Sequence, residues 1–492
     1  MGYSIRNIGI HTLVGLLLGV GFVVPGMWWL SVIGIAWFVH ELLFRPNYYT
    51  WYWVLYIWTI KYLCALSWFW SAYPIDWLGI NLGGFELLLI GMYWLSAAVW
   101  LGLGGVLLYV VSMYGVRVGS RFVLLAMPVL WLLAEIAGAW LFSVFSYGPG
   151  AILTANFSFG YVGYHLAQHV ILIMLAAWGG VYVLTIVLVL LACAALYLWR
   201  LQQRGWLGFG CVIFLFTANV SLPVQTPSTA ATTTVAIVDT QTPTNSWLSD
   251  EGAQYMTQQM NQALMAAKDT GAAYILFPED SRVFTQLGTP NQTTALLAFT
   301  QADLQSIVID SSRFKQVDQA VLQAVVYDGS TKESYVSQKR YLVPQGEFMP
   351  TVYGAVLRLV GLGETVDQLE QRLSYTVDAD LSQTPPAAGI PSVLFCFEGV
   401  APDGVRAILQ ERTTDAPFVA HVVSHGWFHQ PHILWSQLES MLRIQAIWND
   451  TYIVSAGNHV LGYVVSPSGE ITYPTPSTSG DVWQVGLVDI TR

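Results

Sequence analysis

Charged residues are scarce in this sequence. Asp, Glu, Lys and Arg make up 10% of its 492 residues, against about a quarter in an ordinary soluble protein. The scarcity is greatest in residues 1–222, which hold seven of the 20 basic residues and four of the 30 acidic ones. That composition excludes a soluble fold there and predicts a transmembrane helical domain over 1–222. Residues 223–492 hold the other 13 basic and 26 acidic residues and are predicted to form an acidic soluble domain.

The second half also lacks a basic face. Acidic residues outnumber basic ones two to one over 223–492, whereas binding to nucleic acid needs a positively charged surface. Nucleic acid is therefore excluded as a partner. A helical metal motif is missing as well, because the four clustered histidines lack its spacing: His421, His425, His429 and His432. We predict no metal site and no cofactor.

Apolar runs of membrane-spanning length occur seven times before residue 223. They lie at about 8–24, 27–44, 51–70, 82–111, 122–145, 166–197 and 206–222. The fourth and sixth runs are longer than a straight crossing needs, which allows for tilt or a re-entrant turn. The sequence therefore predicts a membrane α-helical bundle of about seven spans.

Basic residues are missing from every second connection between these runs. The loops 25–26, 71–81 and 146–165 hold no Lys or Arg. The other connections and the N-terminal segment hold Arg6, Arg45, Arg117, Arg121, Arg200 and Arg204. Because cytoplasmic loops collect basic residues, the N-terminus is predicted to be cytoplasmic and residues 223–492 to lie on the outer side. The uncharged loop 146–165 is expected at the surface beside the soluble domain, either helping to shape a lipid-facing entrance or acting as a plain connector.

Cysteine is scarce too, and the soluble half has one, Cys396, within PSVLFCFEG. The other three lie in the apolar runs: Cys64, Cys193 and Cys211. A lone cysteine forms no disulfide within its own domain, so Cys396 is either a small buried apolar residue or a reactive thiol. The residues around it decide between these readings.

Short apolar segments alternate with helical patterns along the second half. The predicted strands lie at 235–239, 272–280, 306–310, 324–329, 393–399, 419–424, 452–457 and 462–467, with helices at 248–269 and 432–448. Ser249 is the expected N-cap of the first of these helices. Such alternation predicts an α/β sandwich.

Three polar residues stand at or just beyond the ends of predicted strands, where catalytic groups collect in α/β folds. They are Glu279, Lys339 and Cys396. A thiolate is a nucleophile, a buried carboxylate can take the thiol proton, and an ammonium can stabilise an oxyanion. The backbone N–H of Phe397 would be a second oxyanion donor. Each residue taken alone also fits a structural role, as a turn cap, a solvated cation or a small buried residue.

Residues 234–490 resemble the nitrilase, or carbon–nitrogen hydrolase, superfamily. The resemblance rests on Pro278-Glu279, on Lys339 followed by LVPQGEFMP, and on Cys396-Phe397-Glu398. A multi-span region ahead of such a domain is similar to the apolipoprotein N-acyltransferase family, which TPTNSWLSDEG, PVLWLLAEIAGAWLF and GYHLAQHVILIMLAAWGGVYVL also resemble. The resemblance implies an α-β-β-α sandwich and a location in the bacterial cytoplasmic (inner) membrane.

The activity that this resemblance implies is phospholipid-dependent N-acylation. Glu279 would be the general base, Lys339 the oxyanion partner, and Cys396 the nucleophile that carries the acyl chain as a thioester. The acceptor would be the α-amine of the N-terminal diacylglyceryl-cysteine of a lipoprotein, and the enzyme would be a monomer. Supporting or substrate-pocket roles are implied for Glu347, Phe397, Glu398, Trp247 and Trp427.

Several positions depart from the family's pattern. Its Ser-Asn-Asp-x-Trp-Phe segment reads SHGWF at 424–428, one residue shorter, and Gln345 replaces an aromatic residue after LVP. Gln445 and Trp448 stand where the family prefers Arg and Glu. The family's final apolar span has no counterpart in the sequence given, which ends VGLVDITR. We therefore interpret the chain as a divergent member whose acyl donor or acceptor is open.

Two other function classes remain. A membrane-tethered carbon–nitrogen hydrolase, or amidase, would share the Glu-Lys-Cys set but pass the acyl group to water. A catalytically degenerate member would only bind lipid or lipoprotein and would keep its function when Cys396 is replaced. A transporter is disfavoured, because the sparse charges within the apolar runs outline no substrate pathway.

Overall fold

A computed structural model of the chain gives the fold of most of its residues. The ranges described are 5–45, 49–76, 84–117, 119–200, 232–284, 304–316, 319–377, 388–410, 415–429 and 431–491.

The first half is helical. Six α-helices occur in its described part: α1 (Ile5–Val23), α2 (Trp28–Phe44), α3 (Trp51–Ala65), α4 (Phe85–Val116), α5 (Ser120–Phe145) and α6 (Gly180–Arg200). By length and composition, α1, α4, α5 and α6 can cross a membrane, whereas α2 is a shorter apolar helix. Helix α3 has 15 residues and continues into a 3₁₀ turn, Ser67–Ala72. The seventh predicted run, 206–222, lies outside the described residues.

Helices α4 and α5 pack closely because glycines meet backbone at their contact. A Cβ on Gly104 would lie 2.0 Å from the Ala134 carbonyl oxygen, and one on Gly138 would lie 2.3 Å from that of Leu101. Small residues at such contacts let apolar helices approach each other where lipid surrounds them. The outer faces carry exposed apolar side chains such as Phe122 (70% exposed), as expected of helices in lipid.

The sixth apolar run is broken, so the prediction of one span over 166–197 is wrong in its first part. Two 3₁₀ segments, Val162–Gln168 and Leu172–Trp178, precede α6, which begins at Gly180. Gly180 has φ +60° and packs on Trp448, whose ring a Cβ would meet at 2.6 Å. The start of this helix therefore lies against the second half of the chain.

The loop 146–165 lies at the surface in its first part, as predicted, where Tyr147, Ile152 and Leu153 are 47%, 53% and 48% exposed, but its second part is buried. Phe157, Phe159 and Tyr161 are all at most 8% exposed. The Ser158 hydroxyl donates to the Val400 carbonyl (2.6 Å) and hydrogen bonds with the Tyr164 hydroxyl (2.7 Å). This part of the loop therefore lies buried against the second half of the chain.

Two sheets form the framework of the second half. Its strands are β1 (Thr232–Thr240), β2 (Tyr274–Leu276), β3 (Ile307–Gln316), β4 (Gln319–Asp328), β5 (Glu333–Gln338), β6 (Ser392–Phe395), β7 (Phe418–Ser424), β8 (Tyr452–Asn458), β9 (Tyr463–Val465), β10 (Ile471–Thr472), β11 (Thr475–Ser479) and β12 (Trp483–Thr491). The first sheet has the order β11-β12-β1-β2-β3-β4-β5 and the second β6-β7-β8-β9-β10. They join at one residue pair, Thr240 with Asn458.

Side chains that alternate along the strands build the layers around these sheets. Ile237 and Leu276 of the first sheet pack in one core with Phe395 of the second. On the outer face of the first sheet, Ala236 and Val238 pack on helix α7 (Asp250–Asp269). The outer face of the second sheet packs on α10 (Gly404–Gln410) and α11 (His432–Asn449). The predicted α-β-β-α layering is therefore observed.

Helix α7 was predicted well because its first residues carry a local capping signal. Two other helices, which lie against the first half of the chain, were not predicted. The Ser249 hydroxyl accepts a hydrogen bond from the Gly252 N–H (3.1 Å), as predicted for the N-cap of α7. Helices α8 (Thr351–Leu359) and α9 (Gly363–Arg372) were not predicted. Tyr353 of α8 donates from its hydroxyl to the Leu89 carbonyl of α4 (3.2 Å), so this pair of helices lies against the first half.

Candidate active site

The ends of three strands bring the predicted catalytic residues into one region. Glu279 follows β2 by three residues, Lys339 comes directly after β5, and Cys396 directly after β6. Cys396 opens a 3₁₀ turn, Cys396–Val400, so its side chain leaves the strand where the backbone changes direction. The electrostatic influence of Glu279 and Lys339 on the Cys396 thiol reflects this proximity.

The Lys339 ammonium lies between two carboxylates. Its Nζ donates to Glu279 Oε1 (2.9 Å) and to Glu347 Oε1 (2.6 Å), and its side chain is 1% exposed. Glu347 Oε2 in turn accepts from the backbone N–H of Val343 (2.8 Å). Because both oxygens of Glu347 are engaged, this carboxylate is itself held in place and helps to fix the lysine together with Glu279. A buried ammonium with two charged acceptors has a defined position.

Burial and neighbouring charges both shift the pKa values of these groups. Burial alone would lower the pKa of Lys339, but Glu279 and Glu347 raise it above its ordinary value, so the ammonium stays charged. Burial raises the pKa of Glu279 although the Lys339 ammonium opposes the shift. Burial also raises the pKa of the Cys396 thiol; the Glu279 carboxylate adds to the rise and Lys339 opposes it. The resting thiol is therefore protonated, and a carboxylate that accepts protons readily lies near it.

Glu398 ties the nucleophile's turn to the strand that carries the lysine. One carboxylate oxygen accepts from the Phe395 N–H (2.9 Å) and the other from the N–H groups of Arg340 and Tyr341. Burial raises the pKa of Glu398, while these backbone donors oppose the rise. Since Phe395 precedes Cys396 and Arg340 follows Lys339, this buried carboxylate sets the spacing between thiol and amine.

Next to Glu279 the backbone is strained and held by arginines. Asp280 and Arg282 adopt left-handed φ values of 62° and 57°. Burial alone would raise the pKa of Asp280, but Arg282 and Arg313, whose Nε atoms lie 2.8 and 2.9 Å away, lower it. Sequence reasoning missed this ion pair, although strained backbone held by such contacts often adjoins active sites.

An apolar cavity of about 190 Å³ adjoins the thiol. Both halves of the chain line it: Trp68, Leu89, Ile90, Tyr93, Phe157 and Phe159 from the first, and Met349, Tyr353, Leu357, Cys396, Phe397, Trp427 and Phe428 from the second. Among the described residues that line it, none is Asp, Glu, Lys or Arg. Phe157 and Phe159 belong to the loop 146–165, for which a lipid-facing entrance was one of the two expectations. The walls from α4 and from the 3₁₀ turn Ser67–Ala72 were not predicted, because an apolar run gives no sign of which face meets another domain.

Three predicted supporting residues occupy different places. Phe397 and Trp427 line the cavity, and Gly346 must be glycine because a Cβ would lie 2.3 Å from the Trp427 ring. Trp247 does not line it; its ring lies 4.7 Å from the Arg282 guanidinium, which pairs with Asp280. Trp247 is therefore linked to the Glu279 side of the site through Arg282 and Asp280. Its supporting or substrate-pocket role stays a prediction.

The residues that depart from the family pattern connect this region to neighbouring elements. Gln445 of α11 accepts from the Val405 N–H (2.9 Å) and donates to the Gly399 carbonyl (2.8 Å), which holds the turn after Cys396. Trp448 packs on Gly180 and lies 5.0 Å from the Arg406 guanidinium. Within the described ranges, no three His, Cys, Asp or Glu side chains are grouped as metal ligands.

Comparison with known proteins gives one similarity along most of the chain. Over 417 residues, 83% of this chain and 75% of the relative, it is 24% identical to the apolipoprotein N-acyltransferase of Thermosynechococcus vestitus. The chain is a distant relative of apolipoprotein N-acyltransferase. The resemblance inferred from the sequence is thereby confirmed. No protein-family model matches.

Two solved structures are weakly similar. One is glutamine-dependent NAD⁺ synthetase from Acinetobacter baumannii, with a TM-score of 0.35 and 17% identity over 53% of this chain and 46% of that one. This match covers less than half of the synthetase. The other is a carbon–nitrogen hydrolase superfamily protein of Xanthomonas campestris, with a TM-score of 0.33 and 14% identity over 53% of this chain and 90% of that one.

Proposed function

We propose that this protein transfers an acyl chain from a phospholipid, through a thioester on Cys396, to the α-amine of an N-terminal diacylglyceryl-cysteine. The observation that carries the proposal is the position of the thiol. Cys396 lies between a buried lysine–carboxylate cluster and an apolar cavity whose walls come from both halves of the chain. A cavity whose described lining carries no charged side chain suits an acyl chain better than a charged soluble substrate.

In the first step, Glu279 takes the thiol proton and the Cys396 sulfur attacks the ester carbonyl carbon. The Lys339 ammonium and the backbone N–H of Phe397 stabilise the oxyanion. The carbon–oxygen bond then breaks, and the departing lysophospholipid oxygen takes the proton from Glu279. The products are a Cys396 thioester and a lysophospholipid.

In the second step, the acceptor amine attacks the thioester carbon and Glu279 takes a proton from the nitrogen. The carbon–sulfur bond breaks, the amide forms, and the Cys396 sulfur regains the proton. Lys339 stays charged throughout because Glu347 also holds it (2.6 Å). Ping-pong kinetics should follow.

The lipid substrates of this reaction would reach the site from the membrane. The helical half would cross the bacterial inner membrane with the N-terminus in the cytoplasm and carry the catalytic domain at the outer surface. Tyr353 and Leu357 of α8 face the cavity, while Val352, Val356 and Leu359 of the same helix are exposed. An apolar outer face fits contact with lipid, so we expect both lipid substrates to enter from the bilayer near α8. We expect the protein to act as a monomer.

The test is the complete reaction with the full-length protein. It is incubated with phosphatidylethanolamine vesicles and a diacylglyceryl-modified peptide, and the products are analysed by mass spectrometry. We expect an N-acylated peptide and lysophospholipid, no product from a peptide with an acetylated N-terminus, and none from Cys396→Ala. Cys193→Ala is the matched control, because that buried cysteine lies in α6.

Other outcomes would replace the proposal. Free fatty acid in place of acylated peptide would identify a hydrolase. Lipopeptide binding that Cys396→Ala leaves intact, without any acyl transfer by the unmodified protein, would identify a binding protein.

A further inference from the structure

A buried histidine that the proposed reaction does not use lies beside the turn that carries the nucleophile. His421 of β7 is 1% exposed, and its neighbour in β8, Ser455, is equally buried. A Cβ on Gly399 would lie 3.2 Å from His421 Nε2 and 3.3 Å from Leu442 of α11. The imidazole ring therefore packs against the 3₁₀ turn Cys396–Val400, next to an apolar residue of the helix that covers the second sheet.

The two ring nitrogens of His421 have different partners. Nε2 lies 3.4 Å from the Cys396 carbonyl oxygen, and Nδ1 lies 2.9 Å from the Ser455 hydroxyl oxygen. Because a carbonyl oxygen only accepts hydrogen bonds, Nε2 carries the proton and donates, and the hydroxyl donates to Nδ1. Burial lowers the pKa of His421 to about 4 and the Lys339 charge adds to the fall, although the Cys396 carbonyl opposes it. The ring is therefore neutral near pH 7 and is held in one tautomer.

The carbonyl that His421 holds belongs to the peptide unit between Cys396 and Phe397. This unit is planar and trans, so its C=O and N–H point in opposite directions, and fixing one fixes the other. Phe397 is the second residue of the 3₁₀ turn, and the first N–H groups of a helical turn have no acceptor within it. A hydrogen bond to the carbonyl also polarises the peptide unit and strengthens its N–H as a donor.

Other buried side chains hold other carbonyl groups of the same turn. Gln445 donates to the Gly399 carbonyl (2.8 Å). Ser158 donates to the Val400 carbonyl (2.6 Å). Of these two side chains and His421, the histidine alone contacts the peptide unit whose N–H would bind the oxyanion. Its role is therefore separable from the general support of the turn.

We propose that His421 is a positioning residue that directs the Phe397 N–H at the carbonyl oxygen of the ester under attack. The Lys339 ammonium supplies the other hydrogen bond to that oxygen. Because His421 contacts none of the reacting atoms, its effect should be confined to steps in which an oxyanion forms. This inference rests on the proposed function and deepens it.

The test compares side chains of different reach at position 421 in the full-length protein. His421→Gln keeps an N–H donor near the place of Nε2, from which it can reach the Cys396 carbonyl. His421→Asn is shorter, so it keeps a partner for Ser455 but cannot reach that carbonyl. His421→Leu removes the donor and suits the apolar layer. Ser158→Ala is the matched control, because it removes a hydrogen bond from the far end of the same turn.

Two kinds of reaction at Cys396 separate the direction of the N–H from the position of the thiol. Acylation by phosphatidylethanolamine vesicles or by p-nitrophenyl butyrate passes through an oxyanion. Alkylation by iodoacetamide displaces iodide from carbon and forms no oxyanion. Acylation rate constants are measured by intact-mass spectrometry over a range of ester concentrations, and alkylation of Cys396 is followed by peptide mass spectrometry.

Removing one oxyanion donor typically slows a reaction about a hundredfold to a thousandfold, and losing its alignment should cost part of that. We expect His421→Asn and His421→Leu to slow acylation by saturating ester at least about tenfold. The half-saturating ester concentration and the alkylation rate should stay within about twofold of those of the unmodified protein. His421→Gln and Ser158→Ala should retain acylation within about threefold.

Three results would overturn the inference and leave the proposed function standing. They are equal slowing of acylation and alkylation, acylation that His421→Asn and His421→Leu leave unchanged, and a His421→Gln protein as slow as His421→Asn. Acylation by the nitrophenyl ester without any by phospholipid would overturn the proposed function, and the comparison of variants on that ester would then decide the inference. No acyl adduct from either ester would overturn both.

Discussion

Each half of the molecule buries a lysine against carboxylate. In the helical half, Lys61 Nζ lies 2.6 Å from Glu135 Oε1, and both side chains are fully buried. In the α/β half, Lys339 Nζ lies 2.9 Å from Glu279 Oε1 and 2.6 Å from Glu347 Oε1. Burial and distance alone do not distinguish the two clusters.

The surroundings of the two lysines do distinguish them. Lys61 Nζ lies 4.6 Å from the ring centroids of both Trp58 and Tyr62. Glu135 Oε1 also accepts from the Trp131 indole N–H (3.0 Å) and the Val162 N–H (3.1 Å), which joins α3, α5 and the buried loop. Lys339 instead adjoins a thiol at a cavity. A buried ion pair is therefore weak evidence for a catalytic site. What distinguishes the Lys339 cluster is the adjoining thiol and a cavity with room for a substrate.

The largest expected effect comes from removing the proposed base. Glu279→Gln keeps the size of the side chain and its contact with Lys339 but cannot accept the thiol proton. We expect the rate of Cys396 acylation to fall about a thousandfold, measured by intact mass after mixing with phospholipid vesicles. Glu135→Gln, the corresponding change in the other cluster, should leave the acylation rate of the folded protein within about twofold. Equal losses in both variants would mean that the two clusters do not differ in function.

Breaking the other cluster should affect stability instead. Lys61→Met leaves Glu135 buried without its cation, which typically costs about 3–5 kcal/mol. A lower Tm in detergent is the expected result, with an unchanged acylation rate per folded molecule. Lys61→Met/Glu135→Gln should recover much of the lost Tm, because it removes the unpaired charge. A folded Lys61→Met protein that no longer acylates Cys396 would contradict the structural role.

A smaller effect should come from the outer carboxylate of the lysine cluster. Glu347→Gln keeps an oxygen near Lys339 but removes one charge. The loss of a charge-assisted hydrogen bond predicts a fall in acylation rate of roughly tenfold to a hundredfold. Single-turnover kinetics would measure it. A loss as large as that of Glu279→Gln would mean that Glu347 is an equal participant in proton transfer.

The smallest effect is on pH dependence. The proposed base works deprotonated, and burial raises the pKa of Glu279, so acylation should rise with pH along a limb that lies above the range of an ordinary glutamate. Because the Glu347 charge contributes to that rise, Glu347→Gln should move the limb to lower pH. A limb that moves to higher pH in this variant would contradict the assignment.

Much of the site could be predicted because local signals determine it. Glu279 and Cys396 follow apolar strands, and Ser249 caps its helix, so residues near in sequence contain the information. Lys339 follows β5, a polar strand that was not predicted, and its assignment came from the family resemblance of LVPQGEFMP. The second part of the loop 146–165 was mispredicted because its uncharged aromatic residues fit a membrane surface as well as an interior. Phe157 packs on both Phe142 of α5 and Phe397 of the second half, and Phe159 packs on Trp68, contacts that no local pattern reveals.

The interface between the halves was likewise beyond local reasoning. The sequence 166–197 reads as one apolar run, but two 3₁₀ segments precede α6, whose first residue, Gly180, lies against Trp448. Gln445 and Trp448, noted as departures from the family pattern, contact Gly399 and Gly180 respectively. Their partners lie far away in sequence, so only the folded structure reveals what they touch.

The most direct test of the account is whether phospholipid acylates Cys396. The full-length protein, Cys396→Ala and Cys193→Ala would be incubated with phosphatidylethanolamine vesicles and examined by intact-mass spectrometry. We predict a mass gain of one acyl chain that hydroxylamine removes, present in the unmodified protein and in Cys193→Ala and absent from Cys396→Ala. A folded protein that gains no acyl chain, or gains it equally in Cys396→Ala, would contradict the account.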